Sequence, residues 1–144
     1  MIALSVTLLT VVVSDQVLKL LLRNIMGANA VSMGAFGSVQ MVEGHLWLRR
    51  LGGASSRATI AGCWLAAAVA LVVAGAWISA SPEYLGLLLG GSLSNVMESS
   101  QRGTVSDYVC LRFWPAFNLA DLALAVGAIG TLVELLITLR GATA

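Results

Sequence analysis

The stretch ATIAGCWLAAAVALVVAGAWI, residues 58–78, contains 21 residues and no charged side chain. As an α-helix with a rise of ~1.5 Å per residue it is about 31 Å long, which matches the hydrocarbon core of a bilayer. The stretch therefore predicts a membrane-spanning helix and an integral membrane protein.

The composition of the whole chain agrees with this prediction. The 144 residues are 58% hydrophobic and only 10% charged, whereas soluble domains carry about 25% charged residues. The net charge is +1 without a basic run, which argues against a nucleic-acid partner. At ~20 residues per crossing there is room for four or five spans, so we expect a single membrane domain over residues 1–144.

Three further segments are apolar enough to add spans: residues 2–22, 80–98 and 119–139. Together with residues 58–78 they predict an all-α membrane fold, a four-transmembrane-helix bundle. In the segment at 80–98 the apolar run 85–97 is only 13 residues long, so either the span starts near Ala80 or protein shields its polar end. Because no basic region precedes the first segment and no small-residue cleavage site follows it, we interpret it as a retained span.

The only long connection lies between the first two spans. Its second part, residues 39–48, shows β-branched and aromatic residues in partial alternation. This pattern predicts a short sheet or an amphipathic segment at the membrane interface.

Ionisable side chains in or beside the spans are the first functional candidates, because burying them in a membrane is costly. In a four-helix arrangement the first and third connections share one membrane face. Five of the candidates are expected near that face: Asp15, Lys19, Glu98, Asp107 and Asp121. Glu134 belongs to the opposite face.

Asp107 and Asp121 are the pair with the clearest chemical potential. Two neighbouring carboxylates in a dry site share a proton, and such a pair can activate water and protonate a leaving amine. A structural alternative stands beside this hypothesis, with Asn118 as an N-cap and Asp121 as a residue of the first helical turn. Similarly, Asp15 and Lys19 have the spacing of an ordinary i,i+4 ion pair.

Four short motifs carry a resemblance to a known family. DQVLK (15–19) matches the pattern Asp-Gln-x-x-Lys, and GGSLSN (90–95) is similar to Gly-Gly-Ala-Leu-Gly-Asn. GTVSDY (103–108) is similar to Gly-x-Val-x-Asp-Phe, and FNLAD (117–121) matches Phe-Asn-x-Ala-Asp. In this order on a four-span chain, the motifs resemble bacterial signal peptidase II, the lipoprotein signal peptidase family.

The resemblance implies a membrane aspartic endopeptidase of the bacterial cytoplasmic (inner) membrane, with both termini cytoplasmic. Its expected partners are membrane lipid and diacylglyceryl-modified prolipoprotein signal peptides, which it would cleave before the modified cysteine. It implies a small β-cradle between helices 1 and 2, and no metal or organic cofactor. The implied catalytic residues are Asp107 and Asp121. The implied substrate-binding and site-shaping residues are Asp15, Lys19, Arg50, Gly52, Gly91, Asn95, Asn118 and Ala120.

The chain departs from the family pattern at two charged positions. Arg50 stands where the family has asparagine, and Ser99 stands where it has arginine. We hypothesise that the positive charge has moved from position 99 to Arg50. These departures leave open a non-cleaving relative that binds lipidated peptides. The carboxylates within the membrane leave open a second rival, a small proton-coupled transporter.

The distribution of arginines conflicts with the orientation that the resemblance implies. Six arginines lie in the first and third connections, and only Arg140 lies on the other side. The positive-inside rule would place those two connections in the cytoplasm, but we favour the orientation implied by the family.

Overall fold

The computed structural model describes residues 2–26, 29–44 and 57–142, and the structural statements below concern these residues. The predicted interfacial segment is described as far as Gly44. Its remainder lies outside the described residues, as do two predicted site residues, Arg50 and Gly52.

The helical part consists of α1 (Ile2–Met26), α2 (Arg57–Trp77), α3 (Pro82–Arg102) and α4 (Leu119–Ala142). Helices α1, α2 and α4 are long and apolar enough to cross a membrane. Helix α3 is more polar and lies centrally, packed against the other three. Its buried residues include Asn95, Glu98 and Ser99, so protein shields its polar end. Three candidate spans are therefore established, and a fourth crossing by α3 stays a prediction.

Glycines bring α3 close to its neighbours. A Cβ atom on Gly90 would lie 2.8 Å from the carbonyl oxygen of Leu8 in α1. A Cβ on Gly91 would lie 2.5 Å from the carbonyl oxygen of Ala120 in α4. Small residues allow such close backbone contact between helices in lipid, where van der Waals packing and hydrogen bonds drive association.

A three-stranded antiparallel sheet lies in the order β1 (Val31–Ser32), β2 (Gly37–Gly44), β3 (Val105–Leu111). The sequence predicted an interfacial sheet from the first connection alone, and that prediction was incomplete. The third strand comes from the connection between α3 and α4, for which the sequence predicted no strand. Strand β3 pairs with β2 so that Asp107 lies opposite Val42, and the sheet thereby carries one of the two candidate catalytic residues.

A single glycine turns the chain from α3 into β3. Gly103 adopts a left-handed conformation with φ of 83°, and its N–H donates to the carbonyl of Ser99 at 2.9 Å. This is a common way to end a helix, because glycine has no Cβ to clash in that conformation.

The two ends of the helical bundle are held by different polar contacts. The C-terminal halves of α1 and α3 meet the start of α4 beside the sheet, and we call this the sheet end. At the opposite end, the Glu134 carboxylate accepts a hydrogen bond from the backbone N–H of Ser81 at 2.9 Å and another from its hydroxyl. Glu134 thus serves the first turn of α3, far along α4 from Asp121.

Candidate active site

Asp15 joins three helices at the sheet end. It is fully buried, and its Oδ2 lies 2.8 Å from Lys19 Nζ, one turn further along α1. The hydroxyl of Ser94 in α3 donates to the same oxygen at 2.6 Å. The backbone N–H of Ala120 in α4 donates to Oδ1 at 3.1 Å. Asp15 therefore fixes the relative positions of α1, α3 and α4.

Lys19 is buried, and it makes further contacts besides the i,i+4 ion pair with Asp15 that its spacing predicted. Its Nζ lies 3.0 Å from Glu98 Oε2 and donates to Asn95 Oδ1 at 3.0 Å. The ammonium group is thus directed into the protein, where it compensates two buried carboxylates and orients an amide.

Two asparagine amides connect this cluster to the candidate catalytic pair. Asn95 Nδ2 donates to Asp121 Oδ1 at 2.8 Å. Asn118 Nδ2 donates to Asp107 Oδ1 at 2.8 Å and lies 3.2 Å from Asn95 Oδ1. Each amide nitrogen faces acceptors and each amide oxygen faces donors, so the hydrogen-bond network determines both side-chain orientations.

Asn118 and Asp121 also form the helix cap that the sequence offered as an alternative. Asn118 Oδ1 accepts from the N–H of Asp121 at 2.9 Å, and Asp121 Oδ2 accepts from the N–H of Asn118 at 3.1 Å. This reciprocal arrangement satisfies donors that the first turn of a helix leaves free. The cap does not exclude a catalytic role, because it holds Asp121 beside Asn118, which also donates to Asp107.

The environment of Asp107 alters its acidity. Burial raises the pKa of Asp107, the negative charge of Asp121 raises it further, and the hydrogen bond from Asn118 opposes them; the resulting value is about 6. Gly44 of β2 lies against the carboxylate, and a Cβ there would approach Asp107 Oδ2 to 3.5 Å. A carboxylic acid with a pKa near neutrality beside a second carboxylate suits general acid–base chemistry.

An apolar cavity of about 460 Å³ adjoins Asp121. Its other lining residues are Leu111, Trp114, Phe117, Leu122 and Ala125. Trp114 and Leu122 are exposed and would face lipid or the membrane interface. The cavity therefore offers apolar walls beside a carboxylate, which suits a ligand with a hydrocarbon part and a polar reacting group.

The structure brings together all the predicted site residues that it describes. Gly91 and Ala120 make the backbone contact that brings α3 and α4 together at this level. Among residues 2–26, 29–44 and 57–142, no cluster of three or more His, Cys, Asp or Glu side chains is placed to hold a metal ion.

Sequence reasoning missed four contributors. Ser94 lies in a glycine-rich helix, where serine is common as a packing residue, yet it donates to Asp15. Tyr108 is buried, and its Oη accepts a hydrogen bond from the N–H of Leu119 at 2.8 Å. Ser106 and Arg23 bind Glu98. For Arg23 a signal was present, because Asp15, Lys19 and Arg23 recur every four residues along one helical face.

The helices and the site define a multi-pass helical membrane protein with two asparagine-linked aspartates at one end. The profile of the family described as Signal peptidase (SPase) II matches residues 7–137. The chain therefore belongs to the signal peptidase II family.

Individual relatives and solved structures agree with this assignment. A lipoprotein signal peptidase of Xylella fastidiosa (strain 9a5c) is 38% identical, over 46% of this chain and 48% of the relative. One of Moorella thermoacetica is 49% identical over 31% of this chain and 30% of the relative. The matches thus span less than half the length of these relatives. A structure described as a bacterial membrane enzyme, determined by the in meso method at 1.9 Å, has a TM-score of 0.74 and 21% identity over 92% of both chains, which establishes a shared fold.

Proposed function

We propose that the protein is a membrane aspartic endopeptidase that cleaves the signal peptide of prolipoproteins before the diacylglyceryl-modified cysteine. One observation carries the proposal: Asn118 bonds to Asp107 through its side-chain amide and to Asp121 through its backbone N–H. Two carboxylates held by one residue lie at the same end of the bundle, and the charge of Asp121 acts on Asp107, which supports their use as an acid–base pair.

The two carboxylates have different roles at the start of the reaction. Asp107, whose pKa is raised to about 6 by burial and by the charge of Asp121, acts as the general acid, and Asp121 acts as the general base. Asp121 takes a proton from a water molecule, whose oxygen attacks the scissile carbonyl carbon. Asp107 donates its proton to the carbonyl oxygen as the tetrahedral intermediate forms. As this intermediate collapses, one of its hydroxyl groups returns a proton to Asp107 and the C=O bond re-forms. The C–N bond breaks, and the proton held by Asp121 passes to the leaving amine.

The surrounding residues would hold this pair without reacting. Asn95 orients Asp121, while Asp15 secures the start of the helix that carries Asp121 and pairs with Lys19. The apolar cavity beside Asp121 would accept hydrocarbon from the lipid-modified cysteine or an apolar segment of the signal peptide. Arg50 and Gly52 retain the binding roles that the family resemblance implies.

The proposal includes a topology. All four helices cross the bacterial cytoplasmic membrane as a single domain, both termini lie in the cytoplasm, and the sheet end faces outwards. A substrate anchored in the outer leaflet by its acyl chains would then meet the aspartates at the membrane surface. A reporter fused after Ala144 should be active only in the cytoplasm; activity only on the external side would refute this orientation.

The direct test is incubation of the purified protein with a synthetic diacylglyceryl-cysteine peptide, followed by mass analysis. The expected product begins at the modified cysteine, and the same peptide without the lipid should be a much poorer substrate. Binding of the lipidated peptide without any product would favour the non-cleaving relative. Proton flux in proteoliposomes without cleavage would favour the transporter.

A further inference from the structure

Arg23 makes a short ion pair with Glu98, and no motif of the sequence assigned it a role. Its Nη2 lies 2.6 Å from Glu98 Oε1 and donates to Ser106 Oγ at 2.5 Å. Its side chain is 26% exposed, whereas that of Glu98 is only 2% exposed. The guanidinium thus covers a buried carboxylate at the sheet end of α1.

Glu98 in turn binds the residue that precedes Asp107. Glu98 Oε2 accepts from the backbone N–H of Ser106 at 3.0 Å, and Oε1 accepts from the Ser106 hydroxyl at 2.7 Å. Ser106 is 1% exposed and lies near the start of β3. Arg23, Glu98 and Ser106 therefore form a closed triangle of charge-assisted hydrogen bonds, which are stronger and more directional than neutral ones.

The charge balance explains why this triangle requires a second cation. The cluster contains two buried carboxylates, Asp15 and Glu98, and Lys19 contacts both of them. Arg23 supplies the second positive charge, so that the cluster as a whole is neutral. Without Arg23, Glu98 would share one ammonium with Asp15, and a buried carboxylate that loses a charged partner is strongly destabilised.

We propose that Arg23 is a positioning residue for catalysis, which fixes the start of β3 through Glu98 and Ser106 and thereby sets the position of Asp107. The proposal rests on the proposed function for its kinetic readout. Among the described residues, Arg23 supplies a positive charge at the end of α3 where the family pattern has an arginine. Ser99, the position at which the family pattern has arginine, is fully buried here with its hydroxyl unpartnered among the described residues.

The alternative to a positioning role is that Arg23 matters only through contact with lipid headgroups. In that case replacing Arg23 would change hydrogen exchange and kinetics no more than replacing any other exposed arginine at the sheet end. Arg102, an exposed residue in the last turn of α3, provides the matched control. The comparison therefore uses Arg23→Gln, Arg23→Lys and Arg102→Gln in the full chain.

The first readout does not depend on peptidase activity. Hydrogen exchange measured on the peptide that contains residues 105–111 reports how firmly β3 is held. We expect Arg23→Gln to accelerate exchange there, Arg23→Lys to restore most of the protection, and Arg102→Gln to leave exchange unchanged. Unchanged exchange in Arg23→Gln would overturn the proposal even if the wild-type protein cleaves nothing.

The second readout is kinetic, with a diacylglyceryl-cysteine peptide as substrate. We expect Arg23→Gln to lower kcat about tenfold or more with little change in KM, because displacement of a reacting group reduces turnover more than binding. Arg23→Lys should recover much of the loss. An Arg23→Gln variant with the kinetics of Arg102→Gln, or one that only raises KM, would contradict the assignment.

Discussion

The side-chain amide of Asn118 donates to Asp107 Oδ1 at 2.8 Å, while its carbonyl oxygen caps the helix that carries Asp121. One residue therefore serves both the acid–base pair and the fold, and these two tasks can be separated by substitution. Serine caps helices well but is too short to reach Asp107 in place of the amide.

We expect Asn118→Ser to keep a thermal stability near that of the wild type and to lose about 10–100-fold in kcat, since one positioned donor is removed. Asn118→Ala should lose the same activity and, in addition, about 1 kcal/mol of stability with the cap. Thermal unfolding in detergent and peptide kinetics check both variants. Equal stability of Asn118→Ala and Asn118→Ser would contradict the capping role, and full activity of Asn118→Ser would contradict the bridging role.

The raised pKa of Asp107 predicts how stability and activity depend on pH. Since the pKa rises from its ordinary value of 3.8 to about 6, the folded protein binds more protons than the unfolded chain between these values. The free energy of unfolding should therefore fall as pH rises through this window, and kcat/KM should decline above about pH 6 as the shared proton is lost. Asp107→Asn should flatten this part of the stability profile. A profile identical to that of the wild type would contradict the assigned pKa.

The hydroxyl of Tyr108 makes a contact that the family pattern lacks, because the family has phenylalanine at this position. This hydroxyl accepts from the N–H of Leu119, the first residue of α4. Tyr108→Phe should lower stability by about 1 kcal/mol through the lost hydrogen bond and should reduce kcat only a few-fold, since Asn118 still holds Asp121. Tyr84→Phe, near the start of α3, is the control for loss of a tyrosine hydroxyl away from the site. Equal stability of the two variants would show that the Tyr108 hydroxyl contributes nothing.

Gly91 tests whether close contact of α3 and α4 positions the site. A Cβ there would lie 2.5 Å from the carbonyl oxygen of Ala120, whereas nothing lies within 4 Å of a Cβ added to Gly62 in α2. Gly91→Ala must displace α4 and should lower stability by about 1–3 kcal/mol, as overpacking does, together with activity. Gly62→Ala should be neutral or slightly stabilising. Similar thermal unfolding and kinetics for both alanine variants would argue against the packing role.

The positions of the helices could be predicted because long apolar runs have few alternatives in a membrane protein. Where a helix ends depends also on contacts beyond its apolar run. The apolar run of the first span ends at Leu22, but α1 continues to Met26, since Arg23 finds a buried carboxylate on α3. A sequence pattern cannot show that contact, because Arg23 and Glu98 are 75 residues apart.

Strand β3 was missed for a related reason. Its sequence VSDYVCL is short, and its strand conformation depends on pairing with β2 and on the hydrogen bonds of Ser106 with Glu98. Asp107 and Asp121, in contrast, could be chosen from the sequence because they lie in motifs at span ends. The hypothesis that Arg50 replaces the arginine missing at position 99 stays a prediction, since Arg50 lies outside the described residues.

The proposed peptidase activity requires Asp107 and Asp121 to act as one acid–base unit, and cleavage by the Asp→Asn variants tests this most directly. Purified wild type, Asp107→Asn and Asp121→Asn are incubated with the diacylglyceryl-cysteine peptide, and the product that begins at the modified cysteine is quantified by mass. Thermal unfolding confirms that each variant is folded. We predict that each substitution alone lowers the rate by about 10²–10⁴-fold or more, and that the double variant is scarcely slower than either single one. A folded single variant that keeps activity within about tenfold of wild type would contradict the account, because its loss of rate falls short of that range.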